Sequence, residues 1–252
     1  MRVIFIGAGR GSRLMPTTEN EPKCFARVQG KRILDWNLEA FAENGVEDIC
    51  FIGGYLIDTV RKEYPHFTFR HNDDWANNNI LASLMYAEDL MDQPFICCYS
   101  DTLYSSNLIS GILASEHDIT LSADTGWVER YKDRTEHPAD DAEKITVQNG
   151  VVTRIHREIK PEEAWGEYTG VARFSVKGAD FLKRQFAQCH AEFSGKPFRE
   201  AAVFEKAYLI HLLQDMVEDG VEMRHTDTAN EYIEIDTQQD FEYAQTNWKD
   251  QS

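Results

Sequence analysis

No hydrophobic run in the 252-residue sequence approaches the ~20 residues that a membrane-crossing helix needs. The opening Met1-Arg2-Val3-Ile4-Phe5-Ile6 has only four consecutive apolar residues before Gly7, too few for a secretory h-region, and reads as a first buried strand. Cysteine is sparse and scattered: Cys24, Cys50, Cys97, Cys98 and Cys189 include no C-x-x-C pair. That excludes a disulfide framework and predicts buried thiols in a reducing cytoplasm. The eight histidines show no zinc-ligand spacing. Basic residues are outnumbered, 26 Lys and Arg against 43 Asp and Glu, a net charge of −17. This argues against a nucleic-acid partner, an anionic membrane surface or insertion into one. No Pro/Gly/Ser-rich linker and no internal repeat divides the chain, so one domain over 1–252 with an inserted lid is the economical reading.

What is there is an ordinary globular composition, 42% hydrophobic and 27% charged, enough for a real core. Its charge is unevenly placed. Residues 1–32 hold seven bases (Arg2, Arg10, Arg13, Lys23, Arg27, Lys31, Arg32) against Glu19 and Glu21, a local +5 that leaves −22 for the remainder. A positive site within an acidic protein suits a small anionic ligand.

Short apolar runs at 2–6, 48–53, 67–70, 95–99 and 118–122 read as strands, alternating with helix-period segments at 35–44, 56–63, 79–90 and 105–115. Alternation of this kind predicts an α/β, Rossmann-like, mixed but mostly parallel sheet with helices on both faces. After Ala123 the pattern changes. Residues 126–141 are polar without a clear period, an expected loop or lid, and 145–155 reads as a hairpin turning at Asn149-Gly150. The insert spans about 124–160. A strand at 168–175, helices at 178–193 and 200–219, a short strand at 231–235 and a closing helix at 237–248 complete the reading.

The run Gly7-Ala8-Gly9-Arg10-Gly11-Ser12-Arg13 directly follows the first strand, where glycines let several backbone N–H groups approach a phosphate chain. A dinucleotide fingerprint would need glycine at position 12, and an acid ending the second strand where Cys50-Phe51-Ile52-Gly53-Gly54 has none. A P-loop fails on Ser12, Arg13 and Leu14. Arg13 and Lys23 flank the loop and can converge on one phosphate cluster.

Gly7-x-Gly9-x-Gly11-Ser12-Arg13-Leu14 with Pro22-Lys23 resembles the signature loop of the nucleotidyltransferases that activate sugar phosphates, phosphocholine and phosphonates. The resemblance covers nearly the whole chain and is strongest to the cytidylyltransferases for phosphocholine and for phosphonates such as 2-aminoethylphosphonate. It implies that the loop amides over Ala8, Gly9, Arg10, Gly11 and Ser12, with Arg13 and Lys23, hold a nucleoside triphosphate, Ala8 and Gly9 lying against the base.

Asp101 stands just past the strand at 95–99, and Glu234-Ile235-Asp236 ends the last short strand. Glu234 and Asp236, two apart in an extended segment, point to one face. A Mg²⁺ ion needs one or two carboxylates completed by water and phosphate oxygens, which Asp101 and Asp236 can supply from two strand ends. A helix cap before Thr237 and a turn aspartate are the structural alternatives for Asp236 and Asp101. The resemblance matches both to the family's magnesium positions, with Glu234 as outer ligand or orienter.

Asn79 and Ser83 lie four apart on a helix start and can both donate and accept, as reading a pyrimidine edge requires; capping is the alternative for an asparagine there. The stretch Asn79-x-x-x-Ser83-Leu84 resembles the family's base-recognition element, which favours CTP.

For the acceptor, the lid mixes aromatics with cations: Arg130 or Arg134 as bidentate anion binders, Trp127, Tyr131 or Tyr168 as faces for a substrate ammonium. Packing of the lid is the alternative for the aromatics. Glu167-Tyr168-Thr169-Gly170 resembles the strand beside the acceptor, Gly170 allowing close backbone approach, and either Arg157 or Lys160 supplies a cation near the α-phosphate.

The resulting expectation is a Mg²⁺-dependent cytidylyltransferase with Arg13, Lys23, Asp101 and Asp236 as its catalytic set. CTP and a small phosphonate or phosphomonoester are its partners. A sugar-1-phosphate enzyme and a catalytically silent regulatory module are the competing readings. The sequence leaves a homodimer open.

Overall fold

Alternation along the first strand already explains the layering. In β1 (Arg2–Gly7), Val3 and Phe5 enter one apolar cluster while Ile4 and Ile6 enter another. Successive side chains of a strand point to opposite faces, so a strand apolar at every position must be covered on both sides. The computed structural model describes residues 1–132, 134–136 and 138–248. Asp133 and His137, inside the segment expected as a lid, lie outside the described residues.

Past β1 come a small hairpin, β2 (Arg27–Val28) and β3 (Lys31–Arg32), and helix α1 (Ile33–Glu43). Then follow β4 (Asp48–Gly53), α2 (Ile57–Glu63), β5 (Thr68–His71), α3 (Ile80–Met85), β6 (Phe95–Tyr99), β7 (Thr102–Tyr104) and α4 (Ser106–Leu113). Next are β8 (Ile119–Asp124), α5 (Trp127–Tyr131), β9 (Lys144–Gln148), β10 (Val151–His156), β11 (Gly166–Phe174) and α6 (Val176–Phe193). The chain closes with α7 (Leu209–Glu218), β12 (Arg224–Thr228), β13 (Tyr232–Glu234) and α8 (Gln238–Asn247).

The main sheet has nine strands in the order β5-β4-β1-β6-β11-β8-β12-β10-β9. β11 and β10 run against both of their neighbours and the other strands run one way, so the sheet is mixed and mostly parallel, as expected. Helices α3, α6 and α7 cover the Ile4/Ile6 face, and α1, α2 and α4 cover the Val3/Phe5 face. A third apolar cluster joins Leu14, Trp36, Leu103, Ile235 and Trp248 beneath the amino-terminal loop.

Several elements depart from the sequence reading. The helix expected over 200–219 begins only at Leu209. Ahead of it the backbone is used elsewhere: the carbonyls of Glu205 and Ala207 accept from the amides of Asn79 and Leu81 at the start of α3. The helix expected over 79–90 breaks after Met85 into a short 3₁₀ turn. The polar stretch expected as loop contains α5, whose Trp127 and Tyr131 pack with Ala142. The strand β12, Arg-His-Thr-Asp-Thr, went unseen because it carries no apolar side chain; its place is fixed by parallel pairing to β8. The hairpin turns at Asn149 and Gly150, both at positive φ, and continues the sheet edge.

Candidate active site

At the carboxyl ends of β1 and β6 the sheet opens into a cavity of about 580 Å³, the place where open α/β sheets bind ligands. The glycine turn forms one wall. A Cβ at Gly7 would meet the Phe51 ring at 2.5 Å and Ser100 Oγ at 2.7 Å. Gly11 has φ +67°, and a Cβ there would lie 2.8 Å from Cδ of Lys23. Only glycine lets the loop fold onto the lysine stem. Ala8, Gly9, Gly11, Ser12, Arg13 and Lys23 all line the cavity; Arg10 does not, its guanidinium resting over Tyr55 at 5.4 Å.

Lys23 is the hub. Its ammonium donates to Asp101 Oδ2 at 2.6 Å and to Asp236 Oδ1, while Arg13 donates to Asp236 Oδ2. Burial works to lower the Lys23 pKa, but the pull of Asp101 and Asp236 outweighs it and holds the ammonium well above the usual lysine range. Ile235 explains how Asp236 gets there. It is buried in the apolar cluster under the loop, so its neighbours in the extended segment face the other way, and Glu234 and Asp236 both line the cavity. Asp236 does not cap the last helix: Thr237 does, its Oγ1 accepting from the Asp240 amide at 3.2 Å. Glu234 is crowded: burial, then Asp236, Glu167 and Asp101, push its carboxyl well above the ordinary glutamate value.

Among the described residues no group of three or more His, Cys, Asp or Glu forms a ready metal cage. The arrangement nonetheless fits a hard divalent ion. Asp101 and Asp236 already direct oxygens at one shared cation, the Lys23 ammonium, and Mg²⁺ takes only one or two carboxylates from protein. Thiol chemistry is not part of the site: Cys24 lines the cavity, but burial pushes it up to about 12.

Asn79 and Ser83 both line the cavity, yet the Asn79 side chain is occupied as a cap, its Oδ1 accepting from Ile80 N at 2.9 Å and its Nδ2 donating to the Lys206 carbonyl at 3.2 Å. Ser83 Oγ accepts from the buried Asn72 amide at 2.8 Å, and Asn72 exchanges two further hydrogen bonds with Asn78. Asn78 and Trp75 line the same wall and were not singled out from sequence. The Asn77-Asn78-Asn79 run was the available signal for Asn78.

The expected acceptor residues are mostly elsewhere. Arg130 is buried between Asp124 and Glu167, and Arg134 pairs with Asp240 at 2.7 Å over the Tyr131 ring. Trp127 and Tyr131 are buried and pack with Ala142, and Tyr131 donates to Glu167. None of these four lines the cavity. Gly170, at φ +77°, accommodates the Tyr99 ring, which a Cβ would meet at 2.5 Å. Of the acceptor set only Tyr168 lines the cavity. Arg130, Tyr131 and Arg134 share one cause: a basic or aromatic residue in a polar segment reads as exposed, but here buried carboxylates from β8, β11 and α8 claim it. Beside Tyr168 the cavity is lined by Tyr99, Glu143, Arg157, Glu167 and Tyr208. Lys160 is exposed and outside the cavity.

No family model matches the sequence. Over 252 residues, 96% of this chain and 98% of the relative, it is 26% identical to the CTP:phosphoglutamine cytidylyltransferase of Campylobacter jejuni. It is 30% identical over 109 residues to the choline-phosphate cytidylyltransferase of Streptococcus pneumoniae, 42% of this chain and 47% of that one. Its fold superposes on the inositol-1-phosphate CTP transferase from T. maritima with a TM-score of 0.73 at 21% identity, covering 96% and 94% of the two chains. In its glycine turn, its paired carboxylates and its fold, the chain is similar to nucleotidyltransferases.

Proposed function

We infer that the protein is a Mg²⁺-dependent cytidylyltransferase that joins CMP from CTP to a small phosphonate or phosphomonoester, of the 2-aminoethylphosphonate or phosphocholine type, and releases pyrophosphate. The observation that carries this reading is the meeting of Arg13, Lys23, Asp101 and Asp236 beside the glycine turn. The relative matched from end to end, itself named for CTP, supports the nucleotide.

An acceptor phosphate or phosphonate oxygen attacks the α-phosphorus as the bond from that phosphorus to the α–β bridging oxygen breaks. The bonding pair leaves with pyrophosphate. The attacking oxygen is already ionised, so no general base is required and the protein contributes position and charge. Loop amides over 8–12 cradle the triphosphate, and Lys23 and Arg13, released from their carboxylates, neutralise the departing pyrophosphate. Asp101 and Asp236 are the residues that would hold Mg²⁺, which would supply Lewis-acid charge at the phosphate oxygens. The test is a pyrophosphate-release screen crossing the four nucleoside triphosphates with phosphonates, phosphomonoesters and sugar 1-phosphates. CTP with a non-sugar acceptor is the expected pair; sugar 1-phosphates alone, or no release with any pair, overturns the reading.

A further inference from the structure

Asp236, one of the two carboxylates that meet at Lys23, stands on a stretch without regular structure: β13 ends at Glu234 and α8 begins at Gln238. Ile235 N donates to the Asp101 carbonyl at 3.1 Å and ties one side of that stretch to the end of β6. Asp240 holds the other side. Its Oδ2 accepts from the amides of Asp236 at 3.0 Å and Thr237 at 2.9 Å, and its Oδ1 accepts from Arg134 Nε at 2.7 Å. A capping box requires only the Thr237 amide. The hold on Asp236 is an addition, and so is an arginine buried with its carboxylate, the two side chains 5% and 2% exposed. The inserted segment grips the same stretch twice more. The Thr135 and Glu136 amides donate to Gln239 Oε1 at 2.8 and 3.1 Å. Arg130 donates to the Tyr232 carbonyl at 3.3 Å, with its guanidinium 4.7 Å over the Tyr232 ring.

Resting on the assignment of Asp236 as a metal ligand in the nucleotidyl-transfer reading, we propose that Arg134 and Asp240 are positioning residues for Asp236. They fix the backbone beneath its carboxylate, so that Asp236 and Asp101 stay directed at one shared cation. A carboxylate held by a guanidinium on one oxygen cannot turn, and its other oxygen stays on the Asp236 and Thr237 amides. Neither Arg134 nor Asp240 lines the cavity, so both act through Asp236 rather than on a ligand. The inserted segment is then a brace for the metal carboxylate. Outer partners of this kind orient the ligating group, and their loss weakens metal affinity about 10- to 100-fold.

The experiment titrates the full chain with Mn²⁺ in the presence of α,β-methylene-CTP and follows the free-ion electron paramagnetic resonance signal, a readout that needs no turnover. Binding by the nucleotide analogue alone is subtracted. Arg134→Gln should weaken Mn²⁺ binding about 10-fold or more. Arg134→Lys, which keeps the charge and loses the planar fork, should recover part of that loss, and it carries the test should Arg134→Gln fail to fold. Ser175→Ala is the control for stability alone. It removes the Oγ that caps α6 by accepting from Gly178 N at 3.0 Å, and it lies outside the cavity. It should lower the melting temperature and leave Mn²⁺ affinity unchanged. The proposal is overturned if the folded Arg134 variants bind Mn²⁺ as tightly as wild type, if Ser175→Ala weakens binding equally, or if the wild-type protein binds no Mn²⁺. Pyrophosphate release is scored separately. Weakened Mn²⁺ binding in the variants with no release from any substrate pair sinks the nucleotidyl-transfer reading and upholds the brace; release with Mn²⁺ affinity equal in all proteins does the reverse.

Discussion

Lys23 donates to Asp101 at 2.6 Å and so ties the glycine loop to the end of β6. The same ammonium reaches Asp236 from the last strand, and three segments far apart in sequence become one charge cluster. Asp101→Ala is predicted to abolish turnover while leaving the fold intact; wild-type rates of pyrophosphate release would remove Asp101 from the mechanism. Lys23→Ala should lose ~3–4 kcal/mol of transition-state stabilisation, as other oriented charge donors do. Chelation of divalent ions should abolish activity, and full activity in excess chelator would sink the metal's role.

Gly11 is the joint between loop and lysine. Gly11→Ala should displace Lys23, because the new Cβ would sit within 2.8 Å of its stem, and lower kcat by about 10²-fold. Gly30 is a matched control. It too has positive φ, at +85°, but a Cβ there meets nothing within 4 Å. Gly30→Ala should lower the melting temperature without changing kcat. Equal loss of kcat in both variants would attribute the Gly11 effect to backbone strain alone.

Arg130 separates a structural role from a substrate-binding one. Its removal leaves Asp124 and Glu167 buried without their cation. Arg130→Ala should cost about 3–5 kcal/mol in urea-induced unfolding. Unchanged stability with a raised acceptor KM would restore the acceptor role that its sequence context suggested.

His211 gives the fold a pH dependence. Burial lowers its pKa to about 4 against the opposing pull of Glu200, and its Nδ1 accepts from the Tyr208 amide at 3.3 Å. In the unfolded chain the ring titrates at 6.5, so as pH falls below that value the unfolded state takes up the proton first. This contribution is complete above 6.5 and is lost progressively as pH drops toward about 4. His211→Gln should therefore show a shallower fall in melting temperature over that window. Identical profiles for variant and wild type would assign the acid sensitivity to other groups.

Local pattern carried the layers and the glycine turn with Arg13 and Lys23 beside it, and the family resemblance added Asp101 and Asp236. Unbroken apolar strands demand cover on both faces, and a strand of period two sends Glu234 and Asp236 to the same side whatever surrounds them. These are short-range consequences of chain geometry. Pairings between distant segments had no such local sign. Arg130 and Arg134 look free in a polar stretch, and only the approach of Asp124, Glu167 and Asp240 shows that they are held. Nothing near Asn79 in sequence shows that the 3₁₀ turn at 204–206 supplies a carbonyl for its amide. The sequence determined which chemistry was on hand, because side-chain type and local period are written in it. Tertiary structure alone decided which cations remain open to a ligand, because a buried carboxylate takes the nearest positive group in space rather than along the chain.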